Sequence, residues 1–348
     1  MLALVYLGPH KKALLERPMP IIIEPTDVIV RVTKTTICNT DLHILAGHLP
    51  SCTIGRVLGH EGVGVVTQIG AGVTRFKCND RVVISCITAC GTCEFCRQSM
   101  FSQCCRGGWL LGNRIDGTQA EFVRVPYADT SLHHIPDDAD DEALVMLSDA
   151  LPTAYECGIL NGQVKSGSTI AIIGAGPVGL AVLLAARLQA PLAVVVIDNN
   201  TERLATAMRL GATAIVDNRN GQAIGDIMHL TGGRGVDSAV DAIGLVATFE
   251  LCEEIIAVGG TITTVGVHGT ELDLYKEYRW DRCVTITTAS VDTTSTPLLL
   301  EMLLSRRIDV AEMITHRFPL RRVLDAYATF ADTTGSSALK IIIESAAA

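Results

Sequence analysis

Cys90, Cys93, Cys96 and Cys104 are the residues of this chain whose types and spacing speak most directly of chemistry. They stand in the run Cys-Gly-Thr-Cys-Glu-Phe-Cys, followed by seven residues and the fourth thiol. Two-residue gaps let neighbouring thiolates turn inward on one metal ion, and four thiolates complete a tetrahedral zinc site with no open position. A closed site is structural: it pins a lobe of chain, here about 86–108, and leaves no place for substrate. The same thiols could also ligate an iron–sulfur cluster or pair as disulfides.

A second constellation is Gly174-Ala-Gly176-Pro177-Val178-Gly179, between the buried-type strand Thr169–Ile173 and a helix-forming run, Leu180–Gln189. Strand, glycine turn and helix are the context a dinucleotide fingerprint requires. Gly174 permits a tight turn, Gly176 lets backbone approach a pyrophosphate, and Gly179 lets helix and strand pack closely. The phosphates then meet the free N–H groups of a helix start. Asp198 ends the next strand, where a carboxylate accepts from both adenosine ribose hydroxyls and repels a 2′-phosphate, so NAD is favoured over NADP. Asn199 follows it, and Arg203 could flank the adenosine or be a solvated helix charge.

A third group is weak by itself. Cys38-Asn39-Thr40-Asp41-Leu42-His43 and Gly59-His60-Glu61 offer a thiol, two imidazoles and two carboxylates. A buried Cys is commonly a small hydrophobe, and single histidines are common without a ligand.

These groups need elements to hold them. Before residue 150 the chain is rich in Val, Ile, Thr and Gly, with strand-like runs at Leu2–Leu7, Val28–Val32, Gly62–Ile69, Asp80–Ile84 and Ala120–Val125, the texture of an irregular antiparallel β domain. From about 151 to 290 strand and helix alternate, which predicts a doubly wound parallel sheet. The remainder, 291–348, is too small to fold alone and is expected to return to the first domain. It reads as helices over Thr296–Arg306 and Val323–Ala331 and a last strand, Lys340–Glu344. The fold class is therefore α/β with a β-rich companion domain. The 348 residues are 48% hydrophobic and 19% charged, a core-rich globular composition. A net charge of −9 argues against nucleic acid. Apolar stretches fall far short of a membrane span. The chain starts on a strand-like segment without a leader, so its twelve cysteines suit a reducing cytoplasm.

Taken in order along the whole chain, Cys38–His43, Gly59–Gly64, the four-cysteine lobe, Leu147–Thr153 and Gly174–Gly179 resemble the medium-chain, zinc-dependent alcohol dehydrogenase family. The resemblance implies a GroES-like catalytic domain (1–150 and 291–348) and a Rossmann coenzyme domain (151–290). It implies two zinc ions per subunit, one structural and one catalytic, and NAD. Cys38, His60 and Asp149 take the catalytic ligand positions, Asp149 standing where many relatives have Cys. Asp41 is expected to accept from the other ring nitrogen of His60, and Glu61 to sit beside the metal or ligate in exchange. Cys157 lies near but off the motif and reads as core.

The same resemblance implies a proton relay from alcohol to Thr40, to a ribose hydroxyl, to His43 and water. Zinc would act as a Lewis acid on the alcohol oxygen. Asn39 stands where several relatives put a cation against the pyrophosphate. Lys340 matches a position that reaches the pyrophosphate, or is a solvated lysine. Thr153, Ile243 and Val267 are expected on the cofactor, and Trp109 and Leu110 on an apolar substrate wall. The implied reaction is reversible hydride transfer between a primary or secondary alcohol and NAD. A polyol or formaldehyde-type dehydrogenase is the alternative, and a non-catalytic nucleotide-binding protein a more remote one. A homo-oligomer is implied, a tetramer before a dimer.

Overall fold

A computed structural model describes residues 1–266, 280–332 and 336–345. The chain divides into two compact units, 1–149 with 292–306 and 313–348, and 150–291 with 307–312. Among the described residues no single helix is long and apolar enough to cross a membrane.

In the second unit Thr169–Ile173 and Ala193–Asp198 are nearly continuous apolar runs, as strands covered on both faces must be. They lie in a six-stranded, all-parallel sheet with the order Ala214–Asp217, Ala193–Asp198, Thr169–Ile173, Val236–Asp241, Ile256–Thr264, Thr285–Thr288. Numbered from Thr169–Ile173, that order is 3-2-1-4-5-6, the doubly wound arrangement whose direction reverses beside the first strand. Ligands bind such sheets outside the carboxyl ends at the reversal, which is where Gly174 begins its turn. Ile173, Ile197, Val236, Phe249, Ile255 and Ile262 pack the core on one side of this sheet.

The first unit is built on a seven-stranded sheet. Ile314–Pro319, Lys340–Glu344, Val28–Thr36, Gly62–Ile69, Arg81–Ile84 and Leu132–His134 follow one another, and Phe122–Val125 also pairs with Val28–Thr36. Val28, Val30, Val32, Val66, Val82 and Ile84 fill its core, alternate residues of each strand pointing inward. The strand expected over Val28–Val32 runs on to Thr36: past a bulge at Thr33, the β-branched Thr35 pairs with Gly62 and with the tail, and Thr36 with the tail. That extension delivers Cys38 at the strand end as the cap of helix Asn39–Leu45. The strand expected from Asp80 begins at Arg81, since the Asp80 carboxylate accepts from Lys77 N at 2.9 Å and closes the preceding turn. Strand Lys340–Glu344 pairs Ile342 with Thr36, so the tail lies beside the segment leading into Cys38.

Candidate metal and nucleotide sites

The four cysteines converge in one lobe. Tetrahedral bonds of about 2.3 Å place sulfur atoms about 3.8 Å apart. Cys90 and Cys96 Sγ are 3.9 Å apart, and Cys93 and Cys104 Sγ 4.0 Å. Cys93 caps the short helix Glu94–Arg97, and backbone N–H groups of Cys96 and Cys105 aimed at its sulfur push its pKa down to about 6. A thiol that ionises easily among three others is the donor set of a closed zinc site.

Cys38, His60 and Asp149 form the second cluster, their donor atoms all within 4.8 Å of one another. His60 Nε2 lies 3.3 Å from Asp149 Oδ2, and Cys38 Sγ 3.9 Å from the same oxygen. Burial opposes charge on His60, but the Asp149 carboxylate and the Cys38 thiol outweigh it and raise its pKa well above the ordinary value. The cluster thus favours a positive charge at its centre, and sulfur, imidazole and carboxylate are a sound ligand set for zinc with one position left open.

The surroundings depart from expectation in three places. Asp41 Oδ1 is 3.7 Å from His60 Nδ1, too long for the expected hydrogen bond. Asp41 Oδ2 instead accepts from Cys38 N at 3.0 Å and Gln119 Nε2 at 3.1 Å, and Gln119 in turn accepts from the Tyr327 hydroxyl at 2.8 Å. Asp41 therefore ties the ligand loop to the returning tail. Glu61 is not among the converging donors. Its Oε1 accepts from Lys340 Nζ at 2.7 Å, and Thr36 Oγ1 donates to its Oε2. Lys340 is accordingly neither solvated nor free: its side chain is 2% exposed and that of Glu61 1%. Burial lowers the Lys340 pKa, and the negative charge of Glu61 more than restores it, so the pair is ionic. Cys86, absent from the sequence reading, donates its thiol to Asp149 Oδ1 at 3.5 Å. Burial, then the Asp149 charge, holds that thiol neutral. Only the proximity of Cys86 to the four-cysteine run could have drawn attention to it.

Thr40 Oγ1 lies 3.6 Å from Cys38 Sγ. His43 sits a turn further along the same helix with its ring toward the surface, its pKa lowered by burial and then by His48. The Trp109 ring meets His60 edge-on, centroids 5.9 Å apart, while its Nε1 donates to Leu111 O at 3.1 Å. Trp109 is thus both wall and partial core. Neighbouring Leu110 is half-buried, and Cys157, expected in the core, is 2% exposed.

In the second unit Gly174 has φ +104°, a conformation closed to most side chains, and a Cβ on Gly179 would stand 1.8 Å from Gly174 O. The turn is therefore tight against helix Pro177–Arg187, which begins with Pro177 and Val178. A Cβ on Gly176 would meet nothing closer than Arg203 Nη1 at 3.9 Å, leaving the backbone open to a ligand. Arg203 is half-buried over this turn rather than solvated. Asp198 Oδ2 accepts from Ala175 N at 2.6 Å, and Oδ1 from Asn200 N at 2.7 Å, so this carboxylate also braces the loop. Asn199 is exposed beside it. Ile243, 38% exposed, packs on Gly174. Thr153 ends helix Ala150–Thr153, which continues as a π-helical turn, Ala154–Leu160. Val267 lies outside the described residues.

A closed thiolate lobe, an open Cys-His-Asp cluster and a glycine turn on a doubly wound sheet define a zinc-binding dehydrogenase. Residues 24–137 match the family described as alcohol dehydrogenase GroES-like domain, and 177–304 the family described as zinc-binding dehydrogenase. An alcohol dehydrogenase of Cupriavidus necator is 34% identical, over 99% of this chain and 98% of that protein. Among solved structures, zinc dependent alcohol dehydrogenase 2 from Streptococcus pneumonia, in apo form, is 45% identical with a TM-score of 0.95, covering 99% of this chain and 98% of that one. Alcohol dehydrogenase TADH from Thermus sp. ATN1 is 31% identical with a TM-score of 0.91, covering 99% of each. The chain belongs to the medium-chain, zinc-dependent alcohol dehydrogenase family, oxidoreductases that use zinc and a nicotinamide cofactor.

Proposed function

We propose that this chain catalyses reversible hydride transfer between NAD and medium-sized primary or secondary alcohols, giving aldehydes or ketones. The observation that carries the reading is the convergence of Cys38, His60 and Asp149 donor atoms within 4.8 Å. Zinc held there supplies Lewis acidity toward an alcohol or carbonyl oxygen. Trp109, edge-on to His60, gives the site an apolar wall that suits aliphatic or aromatic alcohols better than polyols. Cys86 and Asp41 hold the ligand side chains and their loop in place. The Thr40 hydroxyl can accept a proton and donate its own, and His43 at the surface passes charge toward water.

The Gly174–Gly179 turn and Arg203 form the cradle for the pyrophosphate. Asp198 supports NAD over NADP, because its charge opposes a 2′-phosphate. The buried pairing of Lys340 with Glu61 supports a role in shaping the catalytic cluster, and a pyrophosphate contact would require that pair to open. The second zinc belongs to Cys90, Cys93, Cys96 and Cys104, where it fastens the lobe. A homo-oligomer is supported by the edge strand Thr285–Thr288, mostly exposed, with Ile286 41% exposed, and by Val258, 72% exposed on the neighbouring strand Ile256–Thr264; the order of tetramer before dimer rests on the resemblance alone. Four free thiols held in metal-like geometry support a cytoplasmic location.

The test is NADH formation at neutral to alkaline pH with primary, secondary, benzylic and polyol substrates, run beside Cys38→Ala. Turnover of apolar alcohols with NAD, lost in Cys38→Ala while one zinc remains, supports the reading. Preference for polyols, or full activity in that variant, overturns it.

A further inference from the structure

His43 has a neighbour that the relay described above does not include. Asn39 and His43 stand four residues apart on helix Asn39–Leu45, on one face. Asn39 Nδ2 is 3.2 Å from His43 Nε2. Beyond the helix the chain folds back, His48 N donating to His43 O at 3.0 Å, and this brings the two Nδ1 atoms to 3.2 Å. The ring centroids are 5.5 Å apart and tilted by 44°, so the contact is an in-line hydrogen bond and not a stack.

The donor inventory orders the protons. The amide nitrogen of Asn39 only donates, so His43 Nε2 accepts. The neutral His43 ring then carries its proton on Nδ1 and donates it to His48 Nδ1. His48 in turn keeps its proton on Nε2. His48 is exposed, so that nitrogen faces water. Burial, then the His48 ring, lowers the His43 pKa, and no other ionisable group among the described residues contributes to that shift. A low pKa keeps His43 from trapping the proton it receives.

We propose that His48 is the outer half of a two-imidazole proton wire, with Asn39 setting its direction. A proton arriving at His43 Nε2 displaces the Asn39 bond. The Nδ1 proton of His43 moves to His48 Nδ1, and His48 gives its Nε2 proton to water. One proton enters and one leaves, and exchange with water at both rings, His43 half-buried and His48 exposed, resets the tautomers. His48 acts through His43 and does not touch substrate, so it is a positioning and relay residue. The inference rests on the proposed role of His43.

The experiment compares the wild type, His48→Gln and His43→Gln in the zinc-loaded enzyme. Proton release during alcohol oxidation is followed by stopped flow with an indicator dye between pH 6 and 9. Nitrogen NMR of the His43 ring gives its tautomer and pKa without substrate. His48→Gln should slow release several-fold at the acid end, less than the roughly 10²-fold cost of losing a positioned acid–base group. Added imidazole should restore it, and the His43 pKa should rise toward about 6.5. Wild-type release in His48→Gln without imidazole dependence, while His43→Gln is slow, overturns the wire and leaves the role of His43 standing. Wild-type release in His43→Gln overturns both. A His43 proton resting on Nε2 in the wild type also overturns the proposed direction.

Discussion

Lys340→Met isolates the buried pair beside the catalytic cluster. Lys340 Nζ and Glu61 Oε1 are 2.7 Å apart, and at an effective dielectric of about 20 unit charges at that distance attract by ~6 kcal/mol. Desolvating each ion offsets several kcal/mol, so the intact pair contributes little net stability. Removing only the lysine is different: the attraction is lost while Glu61 keeps its burial, and the cost is about 3–5 kcal/mol. Neutralising both in Glu61→Gln/Lys340→Met leaves neither partner as an unpaired buried charge, and the amide oxygen introduced in place of the carboxylate can still accept from Thr36. That double variant should return to within about 1–2 kcal/mol of wild type. Urea denaturation of the zinc-loaded protein measures the three stabilities as a double-mutant cycle. The reasoning is refuted if Lys340→Met loses less than about 1 kcal/mol, or if the double variant is no more stable than the single one.

Gly179→Ala puts a methyl group 1.8 Å from Gly174 O, hard against the backbone, so the turn must open. NADH binding, read by fluorescence titration, should weaken by at least about tenfold, or ~1.4 kcal/mol, and an unchanged Kd would remove the turn from the cofactor site. His133, on strand Leu132–His134, has its pKa pushed down to about 4 by burial and then by Arg75. Between that value and the unfolded value of about 6.5 the unfolded chain binds the extra proton. Stability is therefore complete above pH 6.5 and falls by about 3 kcal/mol as pH drops to 4. His133→Gln should flatten that acid limb in denaturant melts, and an identical limb would refute the assignment. Cys96→Ser should lower the zinc content by one and expose the lobe to proteolysis, while Cys38→Ala loses one zinc with the lobe intact. Loss of both ions from either variant would contradict two independent sites.

The local motifs were the legible part. Cys90, Cys93 and Cys96 are spaced closely enough that their convergence needs only one turn of chain, and their sulfur distances follow from that spacing. Gly174, Gly176 and Gly179 announce their own geometry, since no other residue type fits φ +104° at the first or a 1.8 Å approach at the last. The alternation of strand and helix after residue 150 likewise prescribes a parallel sheet, because right-handed crossovers leave few alternatives.

What the sequence by itself determined are the features whose physical cause lies within a few turns of chain: the thiolate lobe, the glycine turn, and the strand-like and helix-like texture of the elements. Resemblance extended this to Asp149, Cys38 and His60, but it could not show Cys86 behind Asp149 or Tyr327 behind Gln119 and Asp41. Glu61 and Lys340 are 279 residues apart, and nothing near either announces the other. Only pairing of the last strand with Val28–Thr36 brings them together, and once they are buried there each charge requires its partner. The tertiary structure decided the roles of such residues, because a lysine at the surface and a lysine in the core are the same letter with opposite electrostatic needs.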